Sequence, residues 1–404
     1  MKRIIALLSI IILLTGCSQN SRDDGASFPG VPELEWSKRL VVEVVNPVND
    51  PLENVPVIVP VSAFELDEMN YVEMGHFRVY DMETGEMPLY QVDDLDGDGT
   101  QADEIVFLTS LKPAEARQYE ICFYKGFKAW PQQLRFTDAT NMPGWESELF
   151  GYRSYGPFVI DMFGKYKSNP GLRLKTFYNE SNKQIYNYHV DSKLGMDILH
   201  VGPTVGLGGV ALKTDAEVFK PSSGSLDCRV IVSGPVRSIV EMRKENWHND
   251  IGTFNVIRTA TIYAHHFETQ IQDEIAVLEI SKSTEAGIGT GMKKEENMHY
   301  QADPQKGLFL LWYNQPMYDI GDMGFGLYFD QPDNFSSTED EKNYYYLLKN
   351  KIAPGAVLKY NFVAFGAWKR AGYVNNMNEF RQFAENIIML QTPVTMNIKA
   401  LDDK

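Results

Sequence analysis

Residues 186–209, YNYHVDSKLGMDILHVGPTVGLGG, bring Tyr188, His189, Asp191, Lys193, Asp197 and His200 into one short span, and six of its residues are glycine or proline. Histidine, lysine, tyrosine and carboxylates are the side chains that move protons in enzymes. Glycine permits positive φ and close approach of a ligand to the backbone. The Gly202-Pro203 pair and the cluster Gly206, Gly208, Gly209 punctuate the chain as loop. The stretch therefore reads as a polar loop over a concave surface, with His189 and Lys193 as proton-transfer groups and Tyr188 as an acid. Asp191 and Asp197 would orient them. The alternative is a long turn whose polar residues face water.

Such a loop needs cations to hold an anionic substrate, and strands supply them. Along 236–245 one face carries Arg237, Ile239, Glu241, Arg243 and Glu245, and the other Val240 and Met242. Along 254–268 the alternation places Arg258, His266 and Glu268 together, because successive side chains of a strand point to opposite faces. Arg258 and Arg243 are the guanidinium groups best suited to grip a carboxylate bidentately. Glu241 is a further binding group, and His266 and His200 are reserve bases. Trp145, Tyr152, Tyr155, Trp247 and Trp312 are available as platforms for sugar rings. A sheet whose polar face only meets water would show the same alternation.

The sharpest local motif is Asp94-Leu-Asp96-Gly-Asp98-Gly-Thr. Alternate aspartates with a glycine turn resemble the first half of a calcium loop, where hard Ca²⁺ collects carboxylate oxygens. The twelfth position from Asp94 is Ile105, where the helix-loop-helix motif has glutamate; Asp103 and Glu104 lie just before it. The expectation is a structural Ca²⁺ held by Asp94, Asp96, Asp98 and Asp103, against the alternative of an acidic turn between strands. The sequence contains no Gly-x-Ser-x-Gly elbow, phosphate loop, zinc-protease histidine pair or dinucleotide fingerprint. No organic cofactor is expected.

The chain of 404 residues opens MKRIIALLSIIILLTGCSQN. A basic start, a short apolar core and small residues before Cys17 form a bacterial lipobox, too short to span a bilayer. Residues 1–17 read as a lipoprotein signal with Cys17 as the lipidation site, and 18–35 as a polar tether. The expected location is the cell envelope, at the outer membrane. Cys122 and Cys228 sit in apolar runs, as buried thiols do; a disulfide between them, in an exported protein, is the alternative. Without Lys2 and Arg3 the chain holds 36 basic against 54 acidic residues, a balance of −18 that argues against nucleic acid as a partner.

From Trp36 the chain turns to short runs rich in Val, Ile, Phe and Tyr, at 40–45, 55–61, 77–80, 105–108 and 119–124, separated by turn residues. These predict an antiparallel β-sandwich over 36–130. Longer runs at 230–232, 236–242, 254–264, 269–274, 308–313, 326–329, 344–348 and 358–364 predict a larger β-domain over 131–404. One helix is predicted at 376–390, with Met377, Phe380, Phe383 and Ile387 on one face and Pro393 as its stop.

The segments QVDDLDGDGTQADEIVFL, YHVDSKLGMDILHVGPTVGLGG, GPVRSIVEMRKENW and RTATIYAHH resemble domain-of-unknown-function family 4861, over most of the mature chain. The resemblance implies an exported lipoprotein of polysaccharide-utilisation systems with a galactose-mutarotase-like supersandwich, an architecture that hosts polysaccharide lyases and glycoside hydrolases. The expectation is thus a mostly-β, carbohydrate-active lipoprotein. It would be a lyase or hydrolase on uronate-containing, pectin-like glycans, or a non-catalytic glycan binder. The partners expected are an oligo- or polysaccharide and, through the lipid, a membrane.

Overall fold

The computed structural model describes residues 36–65, 77–97, 102–124, 136–137, 143–155, 158–172, 174, 187–191, 193–282 and 285–400. Cys17, the signal, the tether and Asp98 lie outside the described residues. The protein is mostly β and antiparallel throughout, with one α-helix near the C-terminus among the described residues.

The first unit is a two-sheet sandwich. One sheet runs in the order Thr395–Ala400, Trp36–Val45, Ala116–Tyr124, Phe77–Asp81, and the other Leu52–Pro60, Glu104–Leu111, Tyr90–Asp93. Alternation in these strands sends Leu40, Val42, Val44, Val57, Val59, Ile105, Phe107 and Ile121 into a shared core. Thr395–Ala400, placed in the second domain by the sequence reading, instead pairs with Trp36–Val45 and forms the edge strand of the first sheet.

The larger unit is built on an eight-stranded sheet, in the order Ser225–Ser233, Arg237–His248, Gly252–Tyr263, Thr269–Ile280, Val357–Trp368, Gly321–Tyr328, Leu308–Gln315, His299–Asp303. Facing it are two five-stranded sheets. The first runs Met196–Asp197, Val159–Gly164, Phe150–Tyr155, Gly144–Glu146, Phe136–Thr137; the second Val218–Phe219, Ala211–Thr214, Ala286–Lys293, Asn343–Leu348, Phe335–Glu339. Leu207 bridges to both Ile160 and Met292 and joins them into one layer. Inner-face residues of all three sheets, among them Phe150, Met162, Leu212, Val240, Met242, Val256, Ile288 and Phe362, form the main core. The helix Met377–Leu390 is capped by Asn376, whose side chain accepts from the backbone N–H groups of Asn378 and Glu379. It lays Phe380, Ala384 and Ile387 on the outer face of the eight-stranded sheet, against Trp312, Val363 and Phe365.

Polar contacts lock the two sandwiches. Gln91 accepts through its side-chain oxygen from the N–H groups of Val236 and Arg237. Arg237 pairs with Asp93 at 2.6 Å and with Glu104 at 2.5 Å. His266 Nε2 bonds the carbonyl of Asn54 at 2.8 Å. Val106 and Leu108 pack on Val236, Tyr263 and Ala264.

Candidate functional site

The acid–base groups assemble on the outer face of the first five-stranded sheet. Arg153 and Asp161 face each other across the ladder of Phe150–Tyr155 with Val159–Gly164. Asp197 arrives on the next strand, opposite Phe163. Period two places Arg153, Asp161, Phe163 and Asp197 on one side and Tyr152, Ile160 and Met162 in the core. Met196–Asp197 can reach this edge because Gly195 precedes it at φ +115°; a Cβ there would stand 2.2 Å from the carbonyl oxygen of Gly164. The loop folds back through Asp197 N–H to the carbonyl of Tyr188 at 2.9 Å.

Arg153 is ion-paired to Asp161, lies 3.7 Å from Asp197, and has the Tyr188 ring 4.8 Å from its guanidinium carbon. His189 Nδ1 is 3.4 Å from Asp197 Oδ2, and its imidazole stacks on Tyr318 at 4.5 Å and 15°. Tyr318 and Asp319 come from the turn between two strands of the eight-stranded sheet and hold left-handed backbone, φ 56° and 55°. Lys193 does so too, at φ 62°. Non-glycine residues there store strain, which collects at functional sites. Tyr318 is 50% exposed and Tyr155 46%.

Electrostatics separate the roles of the two titrating partners. Burial, then the neighbouring Asp161 carboxyl and the hydrogen bond to it, push Asp197 well above the usual carboxylate range; Arg153 opposes this. Burial beside a second carboxyl group thus favours the protonated form of Asp197. Burial and then the Arg153 charge push His189 below its ordinary value, so its imidazole stays neutral. Burial and Asp191, which accepts from its hydroxyl, push Tyr166 up to about 12.

The other sequence-predicted residues fall elsewhere. Asp191 and Lys193 belong to the loop, where Asp191 caps the N–H of Lys193. His200 is exposed, and its carbonyl accepts from Lys293. Arg258 is corrected from substrate cation to core residue. It shares its face with Phe254, Val256, Ala260 and Ile262, is fully buried, and pairs bidentately with Asp273 at 2.7 Å. Two more of its N–H groups go to the carbonyls of Phe158 and Gly208. Arg243 and Glu241 pair with each other on the opposite, outer face of the eight-stranded sheet, with Arg229 as a third partner. The whole sandwich therefore separates them from His189. His266 is a buried partner of Glu268 between the two units and has no opening to a ligand. Trp145, Tyr152, Trp247 and Trp312 are core residues; of the expected platforms Tyr155 is exposed. Sequence reasoning missed Arg153, Asp161 and Tyr318; the charged pair Arg153 and Asp161, eight residues apart in strand-like sequence, was a usable hairpin signal. In the first unit the carboxylate oxygens of Asp94, Asp96 and Asp103 lie within 4.8 Å of one another.

A model of the family described as Domain of unknown function (DUF4861) matches residues 44–139 and 124–395, and the chain belongs to that family. Residues 1–18 match the prokaryotic membrane lipoprotein lipid attachment site, which makes this a lipid-anchored protein of the cell envelope. An uncharacterized protein of Formosa agariphila is 28% identical over 190 residues, 42% of this chain and 48% of that one, so the match spans about half of the relative's length. Among solved structures, a glycosyl hydrolase family 38 protein of Enterococcus faecalis superposes with a TM-score of 0.51 at 10% identity, over 90% of this chain and 47% of that one. An alpha-mannosidase of the same organism does so with a TM-score of 0.47 at 10% identity, over 89% and 46%. The first of these likenesses is one of fold.

Proposed function

We propose that this lipoprotein acts on uronate-containing glycans at the outer membrane by proton transfer, as a polysaccharide lyase centred on His189 and Asp197. The observation that carries the reading is the juxtaposition of the His189 imidazole and the Asp197 carboxyl group, 3.4 Å apart and beside the exposed ring of Tyr318, with burial pushing Asp197 up and His189 down. In an elimination, neutral His189 takes the proton α to the uronate carboxyl group. The freed electron pair forms the ring double bond, the bond to the leaving oxygen breaks, and Asp197 protonates that oxygen. No water is consumed. Lys193, exposed on the same loop, is the cation for the carboxylate. Hydrolysis fits less well: paired glycosidase carboxyl groups stand about 5–9.5 Å apart, whereas Asp161 and Asp197 hydrogen-bond each other.

The second reading is a non-catalytic glycan binder. The near-parallel stacking of Tyr318 on His189 favours it, because the pair then forms one platform for a sugar ring. Incubating the purified lipoprotein in detergent with uronate-rich oligosaccharides separates the two. Unsaturated products seen by ultraviolet absorbance, lost in His189→Ala and Asp197→Asn while binding survives, support the lyase. Saturable binding without turnover supports the binder. Turnover that both variants retain removes this centre from consideration.

A further inference from the structure

We infer that the outer face of the eight-stranded sheet carries a second carbohydrate site, a groove for an uncharged oligosaccharide, on the opposite side of the sandwich from His189. Its floor is two cross-strand rows. Thr259 faces Gln272, which faces Asn361; Thr261 faces Gln270, which faces Val363, which faces Tyr328. Strands stand about 4.8 Å apart and the rows about 7 Å apart along them, so the floor is a lattice of hydroxyl and amide groups. The end of the C-terminal helix forms one wall, where Gln391 accepts from Gln270 at 2.9 Å. Asp330, Gln331 and Asn334, around the turn Pro332–Asn334, form the other. A cavity of about 300 Å³ opens into one of about 180 Å³, and the two share Gln272, Asp330 and Asn361. That size suits a short run of sugar units.

The chemistry of the lining selects the ligand. A sheet face that only meets water carries mixed Lys and Glu. Here amides and hydroxyls, which donate and accept at once, match sugar hydroxyls. Among its described lining residues the larger cavity holds one carboxylate, Asp330, and no cation. Lys359, in the smaller cavity, is already paired with Glu274 at 2.6 Å. A uronate or phosphate would find repulsion and no counter-charge. The helix covers the neighbouring part of this face with Phe380 on Trp312 and Phe365, so the floor stays open where the polar rows begin.

The test titrates the full lipoprotein, in detergent, with cello-, manno- and xylohexaose and with a hexauronate, by calorimetry. The expected result is saturable binding of at least one uncharged hexasaccharide. Gln272→Ala combined with Asn361→Ala, both exposed and safe for the fold, should weaken it roughly tenfold, and Thr259→Trp should block it. His189→Ala should leave it unchanged, so failure of this groove and failure of the His189 centre are read separately. The inference is overturned if no uncharged hexasaccharide saturates, if groove variants bind as the parent does, or if the hexauronate is the ligand that depends on the groove. It is also overturned if those variants abolish a dimer instead, which would give the groove to a second copy.

Discussion

Replacing Arg258 tests the reassignment of this residue from ligand contact to core. The guanidinium is fully buried and satisfies four acceptors: both oxygens of Asp273 and the carbonyls of Phe158 and Gly208. Arg258→Ala leaves a buried carboxylate with its partner gone, which costs about 3–5 kcal/mol. Each orphaned carbonyl adds about 1–3 kcal/mol, less whatever water entering the gap restores. The terms are not additive, so about 5 kcal/mol is expected, comparable with the entire stability of many domains. Urea unfolding followed by tryptophan fluorescence and circular dichroism reads the loss, or the variant fails to accumulate. Removing both charges, Arg258→Met with Asp273→Leu, should recover a large part, since the uncompensated charge goes with them. Arg258→Lys should fall between, because a point charge cannot span four acceptors. An Arg258→Ala protein that keeps its urea midpoint but loses glycan binding would refute the core assignment.

Three further outcomes follow from other parts of the molecule. Cys17→Ser should release the protein from the membrane fraction, read by fractionation; retention there would remove the lipid as its anchor. We propose that Asp94, Asp96 and Asp103 hold Ca²⁺: calcium at a hundredfold excess over its Kd should stabilise the protein by about 2.7 kcal/mol relative to chelator, and Asp103→Asn should abolish the difference, whereas an unchanged midpoint leaves an acidic turn. For the His266–Glu268 pair, burial is the largest influence and disfavours the imidazolium, but the charge and hydrogen bond of Glu268 together with the hydrogen bond to the Asn54 carbonyl outweigh it and raise His266 above 6.5; against burial, His266 and the hydrogen bond from Gln391 together lower Glu268 below 4.5. His266 therefore contributes stability that is whole below about pH 6.5 and lost as pH rises through its higher folded value, and Glu268 stability that is whole above about 4.5 and lost as pH falls through its lower one. The destabilisation by His266→Gln, from denaturant midpoints, should be largest between those limits and shrink toward alkaline pH; a pH-independent difference would mean that the pair is not charged.

Leu52–Pro60 was legible because alternation there is one-sided: Val55, Val57 and Val59 face in, and their neighbours face out or half out; Tyr90–Asp93 and the place of Thr395–Ala400 in the same sandwich were not. The helix was legible for the same reason at period 3.6. Ala286–Lys293, AGIGTGMK, was not, because glycine lowers strand propensity. Its glycines are set by the neighbouring strand Asn343–Leu348: a Cβ on Gly289 would meet the carbonyl oxygen of Tyr346 at 2.1 Å, and one on Gly291 that of Tyr344 at 2.4 Å. Phe150–Tyr155 and Val159–Gly164 were hidden because Arg153 and Asp161 interrupt an apolar pattern and cancel only across the ladder. The loop 186–209 was legible as a concentration of chemistry. Its partners were not, since Tyr318 lies more than a hundred residues on and meets His189 only through the turn between two distant strands.

Arg258 shows how a correct face assignment can still mislead. Strand alternation places it with Phe254, Val256 and Ala260, and that company is the signal of burial rather than of a binding face. What it does in the core still concerns the loop. One N–H holds the carbonyl of Phe158, at the start of the strand that carries Asp161, and another holds the carbonyl of Gly208, at the end of the loop that carries His189 and Asp197. Asp273 fixes the guanidinium from the adjacent strand of the eight-stranded sheet. The cation therefore ties both backbone segments that frame the acid–base centre to the rigid layer behind them. A buried charge that is costly to desolvate is retained where a fully satisfied network specifies one arrangement of irregular backbone. Gly202, Gly206 and Gly208, all at positive φ, leave that loop little intrinsic preference of its own. Damage at Arg258 should for this reason reach His189 through the backbone.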